Sequence, residues 1–389
     1  MKNFLKILCV LLSAVLVFGA ARFLDGGALS RTDRKAPAEQ TAPASHATSP
    51  MATAPEETMS PDSVPEETDP EETEPEETAG TASAGQEFTL TLIGNCTLGC
   101  TNSVSYQGNG IIKTVGEDYS YPFRNVVNYF EEDEFTFLNL EGPLTDTKAY
   151  SERLQLVNGP TSYIQILSQS SVEAVSLVNE HIRDHGEEGY ASTISLLEDA
   201  GIHYAEQGIA TQYTTEHGLT IGIYSVMGFS EKEDAAKIKE DITQLASQVD
   251  IVIFAPHWGV IGYYLPVSNQ TELAHLAIDA GADIVCGTHP YVLQPIEEYN
   301  GGVIFYSLGN FCVGSQVYPS DFDSAMIQLQ VLRDKDGTVS LGERTIIPVS
   351  ISSISRVNNY QPTPYAESDP GYASTLSKLS GTYNRKSIS

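Results

Sequence analysis

Asn95, Glu141, His181, His257 and His289 each close a hydrophobic run, in TLTLIGN, FTFLNLE, EAVSLVNEH, IVIFAPH and DIVCGTH respectively. Amide oxygen, carboxylate and neutral imidazole together make the ligand set of a divalent-metal centre that assists hydrolysis or group transfer. Taken singly, each has an ordinary explanation, since a lone histidine after a strand is more often a hydrogen-bonded surface residue than a ligand. Recurrence of the pattern along one chain favours a shared site.

The elements that would position these residues are legible as alternation. Short apolar runs read as buried strands, and open α/β sheets gather ligands just beyond the carboxyl ends of such strands. LTIGIYSVMG from Leu219 and GVIFYSLGNF from Gly302 are two further predicted strands. Helices are predicted between strands over 192–200, 241–248 and 271–280, the first stopped by Gly201 and the last by Gly281. AMIQLQVL and TIIPVSI flank Lys335-Asp336-Gly337 and predict a closing β-hairpin. The alternation predicts an α/β domain with a largely parallel or mixed sheet over 87–355. Past Arg356 the chain is polar, and 356–389 is expected to be a peripheral tail.

The chain has 389 residues, ample for an independent core, and a formal net charge of -30. The greater part of that acidic excess lies beyond Glu87. Nucleic-acid binding is therefore not expected, because it needs clustered Lys and Arg to neutralise phosphates. A small polar substrate or a metal-bridged anion remains compatible.

Lys2 and Lys6 precede an apolar stretch from Ile7 to Ala21, followed by Arg22. Such a segment over 1–24 is an export signal, and the favoured reading is an uncleaved membrane anchor with the remainder outside the cell, the alternative being a cleaved signal peptide and secretion. Residues 25–86 repeat Pro-Glu-Glu-Thr from Pro55, Pro65, Pro70 and Pro75. Proline removes donors and carboxylates repel, so this linker is expected to be a disordered, extended stalk. Cys96, Cys100, Cys286 and Cys312 lack the paired spacing of a zinc site. Export would permit a Cys96–Cys100 disulfide, whereas Cys286 within its apolar strand is expected to be a buried free thiol.

Read in order, five motifs are specific: Asn139-Leu140-Glu141-Gly142-Pro143-Leu144-Thr145; Asn179-Glu180-His181-Ile182-Arg183-Asp184-His185-Gly186; His257-Trp258-Gly259; Gly287-Thr288-His289-Pro290-Tyr291-Val292-Leu293-Gln294-Pro295-Ile296-Glu297; and Phe305-Tyr306-Ser307-Leu308-Gly309-Asn310-Phe311. From about Phe88 to Val349 the chain resembles the CapA family of poly-γ-glutamate capsule synthesis proteins, which are similar in fold to calcineurin-like metallophosphoesterases. The resemblance implies a metallophosphatase-like, sheet-centred α/β domain, a β-sandwich flanked by helices, with a dinuclear-type metal cleft. It also implies membrane attachment and a role in making or exporting a glutamate polymer beside membrane-bound synthase components. Carried over by position, the metal ligands would be Asn95, Glu141, Glu180, His257 and His289, taking a divalent ion such as Mn, Fe or Zn. His181, oriented by Asp184, would transfer a proton, and Tyr291 and Asn310 would contact substrate; Arg183 and Trp258 are further candidates for that contact, beside the ordinary readings of a solvated loop arginine and a core aromatic.

The chain departs from the family pattern at three positions. It has Gly94-Asn95 in place of Gly-Asp, Asn179-Glu180-His181 in place of Asn-Asn-His, and His289-Pro290-Tyr291 in place of His-Pro-His. Asn95 removes an anionic ligand and Tyr291 an imidazole, while Glu180 adds a negative charge. Two functions follow as expectations: a metal-dependent hydrolase or transferase with a rearranged centre, or a non-catalytic extracellular module that binds through the same cleft.

Overall fold

The structure, a computed structural model, describes residues 85–101, 104, 108–147, 156–228 and 235–384. The anchor expected over 1–24 and almost all of the linker expected over 25–86 lie outside the described residues. Among those described, no helix is long and apolar enough to cross a membrane.

In chain order the strands are β1 (Gln86–Thr97), β2 (Cys100–Thr101), β3 (Phe135–Leu140), β4 (Val157–Asn158), β5 (Ala174–Ser176), β6 (His203–Ala205), β7 (Ala210–Thr214), β8 (Thr220–Met227), β9 (Ile251–His257), β10 (Ile284–Cys286), β11 (Ile296–Tyr299), β12 (Gly302–Phe305), β13 (Asn310–Val313), β14 (Asp323–Arg333), β15 (Val339–Ser350) and β16 (Thr363–Pro364). The α-helices are α1 (Ile111–Val115), α2 (Val127–Glu131), α3 (Ile164–Ser168), α4 (Gly186–Ala200), α5 (Ala235–Ala246), α6 (Ser268–Asp279) and α7 (Pro370–Leu379).

β2 pairs with β4 in a small ladder of its own; of the two larger sheets, one runs β16-β15-β14-β1-β3-β5-β6, with β13 added beside β1, and the other runs β11-β12-β10-β9-β8-β7. Both are mixed. In the first, β1, β3, β5 and β6 are mutually parallel while β14 pairs antiparallel to β1; in the second, β8, β9, β10 and β12 are parallel with antiparallel strands at each edge.

Side-chain alternation along the strands stacks these sheets face to face. Leu90 and Leu92 of β1, Phe135 and Phe137 of β3, and Ile251, Ile253 and Ala255 of β9 share one buried core between the sheets. The opposite faces of the strands meet helices. Val252 and Phe254 pack with Ile238, Ile242 and Leu245 of α5 and with Ala274 and Ala277 of α6. Leu138 and Leu140 pack with Phe130 of α2, Ile166 and Leu167 of α3, and Leu197 of α4. The result is a helix–sheet–sheet–helix sandwich, the sheet-centred α/β class expected.

Element boundaries move for local reasons. Helix α5 begins ahead of the expected Asp241 because Ile238, Ile242 and Leu245 form one buried face at helical spacing. Helix α6 begins at Ser268 because the Gln270 side chain turns back and accepts a hydrogen bond from the Val267 N–H at 3.1 Å. The run GVIFYSLGNF, expected as one strand, is broken by Gly309 at φ 67°. Its first half, β12, belongs to the second sheet and its second half, β13, pairs with β1 in the first. One stretch of chain thus ties the two sheets together at the end where the candidate ligands lie.

The expectation of a peripheral tail over 356–389 is corrected. Tyr360 is wholly buried and its hydroxyl donates to the Asn109 carbonyl at 2.9 Å. Asn358 is buried as well, donating to the carbonyls of Val313 and Gln316. Helix α7 contributes Leu379 to the inter-sheet core and a buried lysine, Lys378, that pairs with Asp321 and Asp323. Polar residues here are internal because they satisfy one another. Cys96, Cys100, Cys286 and Cys312 are all buried free thiols, so the Cys96–Cys100 bridge is absent.

Candidate metal centre

The second sheet supplies two imidazoles. β9 ends on His257, and its ladder continues past the strand: Thr288 N–H donates to the Pro256 carbonyl at 3.0 Å and Trp258 N–H to the Thr288 carbonyl at 3.1 Å. That pairing carries His289, which follows β10, alongside His257, with ring centroids 4.8 Å apart. The first sheet supplies the carboxylate. Glu180, on the turn after β5, reaches across so that Oε2 lies 2.6 Å from His257 Nε2 and Oε1 lies 3.1 Å from His289 Nδ1. One ligand-capable atom from each of Glu180, His257 and His289 falls within 4.8 Å of the others.

These residues fit a divalent cation. The Thr288 hydroxyl faces the Pro256 carbonyl at 3.5 Å and can accept from His257 Nδ1 at 2.9 Å, leaving the Nε2 lone pair toward Glu180. With Nε2 bare, an approach of 2.6 Å to a carboxylate oxygen calls for a positive charge shared between them, which a bound cation would supply; without a cation, Nε2 carries the proton and donates to Glu180. Two imidazoles with one carboxylate suit Zn, Mn or Fe, and Thr288 is the outer partner that fixes the ligating tautomer. Burial pulls the His257 imidazole below its ordinary value, outweighing the Glu180 hydrogen bond and charge, which favours the neutral form that a ligand needs. Burial alone would raise Glu180, but hydrogen bonds from His257 and His289 overcome it and hold the carboxyl far below the usual range.

Glu141 lies next to this triad without joining it. Its carboxyl is buried and pushed up to about 7, first by desolvation and then by the Glu180 charge. Oε1 accepts from the Tyr291 hydroxyl at 2.9 Å, and Oε2 has no hydrogen-bond partner. His181 Nδ1 is 2.7 Å from Asp184 Oδ2, which also accepts from the Val157 N–H at 2.8 Å. Burial would lower the His181 pKa, yet the Asp184 hydrogen bond and the Glu141 charge raise it above its ordinary value. A half-buried imidazole clamped at one nitrogen and poised to carry a proton is thereby presented at the rim.

Asn95 is buried at the end of β1, in register with Asn139 on one side and Asn310 on the other. A Cβ on Gly94 would lie 2.1 Å from the Gly309 carbonyl oxygen, so only glycine allows β1 and the β12–β13 crossover to approach this closely. Asn139 donates to Asn95 Oδ1 at 2.9 Å, and Asn179 donates to Asn139 Oδ1 at 3.3 Å. Asn95 Nδ2 and Asn310 Oδ1 lack partners. Asn95 is thus an amide in a ladder, and it falls outside the triad. Asn139, Asn179 and Thr288 are site residues that were not expected individually; Asn139, a polar residue within the apolar run FTFLNL, was the visible signal for the first.

One expected substrate contact is corrected. Trp258 is wholly buried in the outer core with Nε1 donating to the Tyr306 carbonyl at 2.8 Å, because its parity along the chain matches Val252 and Phe254. Arg183, in the turn before α4, stacks on the Tyr190 ring at 3.8 Å and pairs with Glu187 while its side chain stays half exposed.

The family profile described as "Bacterial capsule synthesis protein PGA_cap" matches residues 89–315, a span holding every residue of the triad. The "PGA biosynthesis protein CapA" of Bacillus subtilis (strain 168) is 30% identical over 259 residues, covering 60% of this chain and 68% of that protein. The "Capsule biosynthesis protein CapA" of Bacillus anthracis is 28% identical over 296 residues, covering 68% of each. Among solved structures, Haemophilus influenzae NAD nucleotidase overlaps 76% of this chain and 63% of its own at a TM-score of 0.36 and 12% identity, too low to carry function across. On the profile match and the Bacillus relatives, the chain belongs to the bacterial capsule synthesis protein family PGA_cap.

Proposed function

We propose that this chain serves the synthesis of a poly-γ-glutamate-type capsule polymer, acting as a divalent-metal-dependent hydrolase or transferase at the cleft between its two sheets. The observation that carries this reading is the convergence of Glu180, His257 and His289 within the segment that matches the family. When bound there, a divalent cation supplies Lewis acidity for attack at a phosphoryl or acyl centre. The chain's own residues divide the remaining work. Glu180, His257 and His289 hold the charge in place, with Thr288 orienting His257. His181, fixed through Nδ1 by Asp184, keeps Nε2 for moving a proton at the leaving group. Asn310, expected to contact substrate, is buried beside Asn95 at the end of β1.

The acidic chain and its carboxylate-rich site would repel a free polyanion, which favours recognition of a polymer end or linkage through the cation. The N-terminal segment is proposed to tether the domain outside the cell, next to membrane-bound synthase components. The test is paired: metal content of the purified full chain by elemental mass spectrometry, and cell-associated polymer in its host carrying His257→Ala or His289→Ala. Bound Mn, Fe or Zn together with loss of polymer in both variants is expected. A metal-free chain whose variants make polymer normally would refute the enzyme reading and leave a binding module.

A further inference from the structure

Tyr291 stands where two carboxylates meet. Its hydroxyl lies 2.9 Å from Glu141 Oε1 and 3.3 Å from Glu180 Oε1. The residue carrying the first of these oxygens is only 4% exposed, and its other oxygen has no hydrogen-bond partner. A phenol has one proton to donate and cannot serve both acceptors fully, so the corner is left short of positive charge. Converging carboxylates in a water-poor corner repel unless a donor or a cation lies between them.

The backbone adds a second observation. His289 and Tyr291 flank Pro290 at φ 95° and 62°, the left-handed region that L side chains rarely adopt. Such strain persists only where surrounding contacts hold it, and it concentrates at functional sites. Here the strained turn does two things at once: it sets His289 in the triad and it drives the Tyr291 hydroxyl between Glu141 and Glu180.

We infer that the Tyr291 hydroxyl is the built-in occupant of a second cation position bracketed by Glu141 and Glu180, so that this chain takes one divalent cation and keeps a second out. The inference rests on the reading that Glu180, His257 and His289 hold the first. Glu180 would then face both positions, one oxygen toward His257 and the other toward Tyr291 and His289. Replacing the phenol with a side chain that donates a lone pair, or removing it, turns the plugged corner into a site.

The experiment uses the full chain, stripped with chelator, dialysed and titrated with Mn2+ by isothermal calorimetry, with electron paramagnetic resonance on the loaded samples. The wild type is expected to bind one equivalent and to show the signal of isolated Mn2+. Tyr291→His is expected to bind two, with an exchange-coupled spectrum. Tyr291→Gly, which also relaxes the left-handed backbone, is expected to gain a second, weaker equivalent and covers the case in which the histidine variant fails to fold. Two equivalents in the wild type would overturn the inference alone, as would a single equivalent in both folded variants. No equivalent in the wild type would overturn it together with the metal reading on which it rests.

Discussion

Lys378 gives the sharpest test of how the carboxyl-terminal segment is held. Its Nζ lies 2.7 Å from both oxygens of Asp321 and 2.7 Å from Asp323 Oδ2. Side-chain exposure is 2% for the lysine and 8% and 10% for the two aspartates, so water screens little. The Tyr264 and Tyr365 hydroxyls donate to Asp321 and Asp323, and the rings of Tyr264 and Tyr383 flank the ammonium at 5.3 and 5.0 Å. Lys378→Met preserves most of the stem and deletes the charge, leaving two buried carboxylates facing each other. Removing one partner of a buried ion cluster costs about 3–5 kcal/mol. Against a typical domain stability of about 5–15 kcal/mol this is a large share. With a urea slope of about 3 kcal/mol/M, the unfolding midpoint should fall by roughly 1–2 M. Adding Asp321→Asn and Asp323→Asn to the methionine variant removes the stranded charges and should recover most of the loss. A shift worth under about 1 kcal/mol, or a triple variant no better than the single one, would refute the idea that the cluster is dry and its charge balance decisive.

Three further outcomes are expected. Thr288→Val should weaken cation binding by about 10–100-fold in a chelator-competition assay while His257 stays in place, since only the partner that fixes the tautomer is lost; wild-type affinity would show that Nδ1 needs no partner. Asp133, whose carboxyl is raised to about 7 mainly by burial, binds its proton more tightly in the folded than in the unfolded chain. Its penalty is therefore absent below about pH 4, grows as pH rises and is complete above about 7, so Asp133→Asn should raise stability by on the order of 1–4 kcal/mol at pH 8 and by nothing at pH 4. Equal thermal shifts at both pH values would contradict that sign. Gly94→Ala should cost about 2 kcal/mol or more, because its Cβ would meet the Gly309 and Leu308 carbonyl oxygens at 2.1 and 2.9 Å and backbone gives way poorly; an unchanged melting temperature would show that the β1–β13 contact is loose.

His257 is legible because it ends an unbroken apolar run, and the same run carries a parity that sorts its side chains between two faces. Odd positions of β9 face the inter-sheet core and even positions face the helices. His257 therefore emerges between the sheets, and Trp258 on the even parity turns into the outer core however natural an aromatic beside a ligand looks as a cleft wall. Glu180 could not be reached from pattern alone, because β5 ends at Ser176 and the intervening turn has no period. Its place came from family motifs, and its pairing with His257 only from tertiary structure. The carboxyl-terminal segment was misread for another reason. Hydropathy scores Asn358 and Lys378 as surface, whereas each is buried against partners that meet its polar groups.

The placement of β1 at the centre of its sheet bears on the order in which the domain can assemble. The first strand of the domain pairs along its early half with β14, Gln86 opposite Arg333, and at its end with β13, Asn95 opposite Asn310. Neither partner exists until most of the chain has emerged. Pairings this remote in sequence make loop closure slow and place the decisive folding step late. A chain emerging amino terminus first would leave this sheet open until its last quarter arrives. The same delay leaves the edge of β1 opposite β3 without its ladder partner for longest, so aggregation during synthesis, more than loss of the finished fold, is where substitutions in β14 should be felt first.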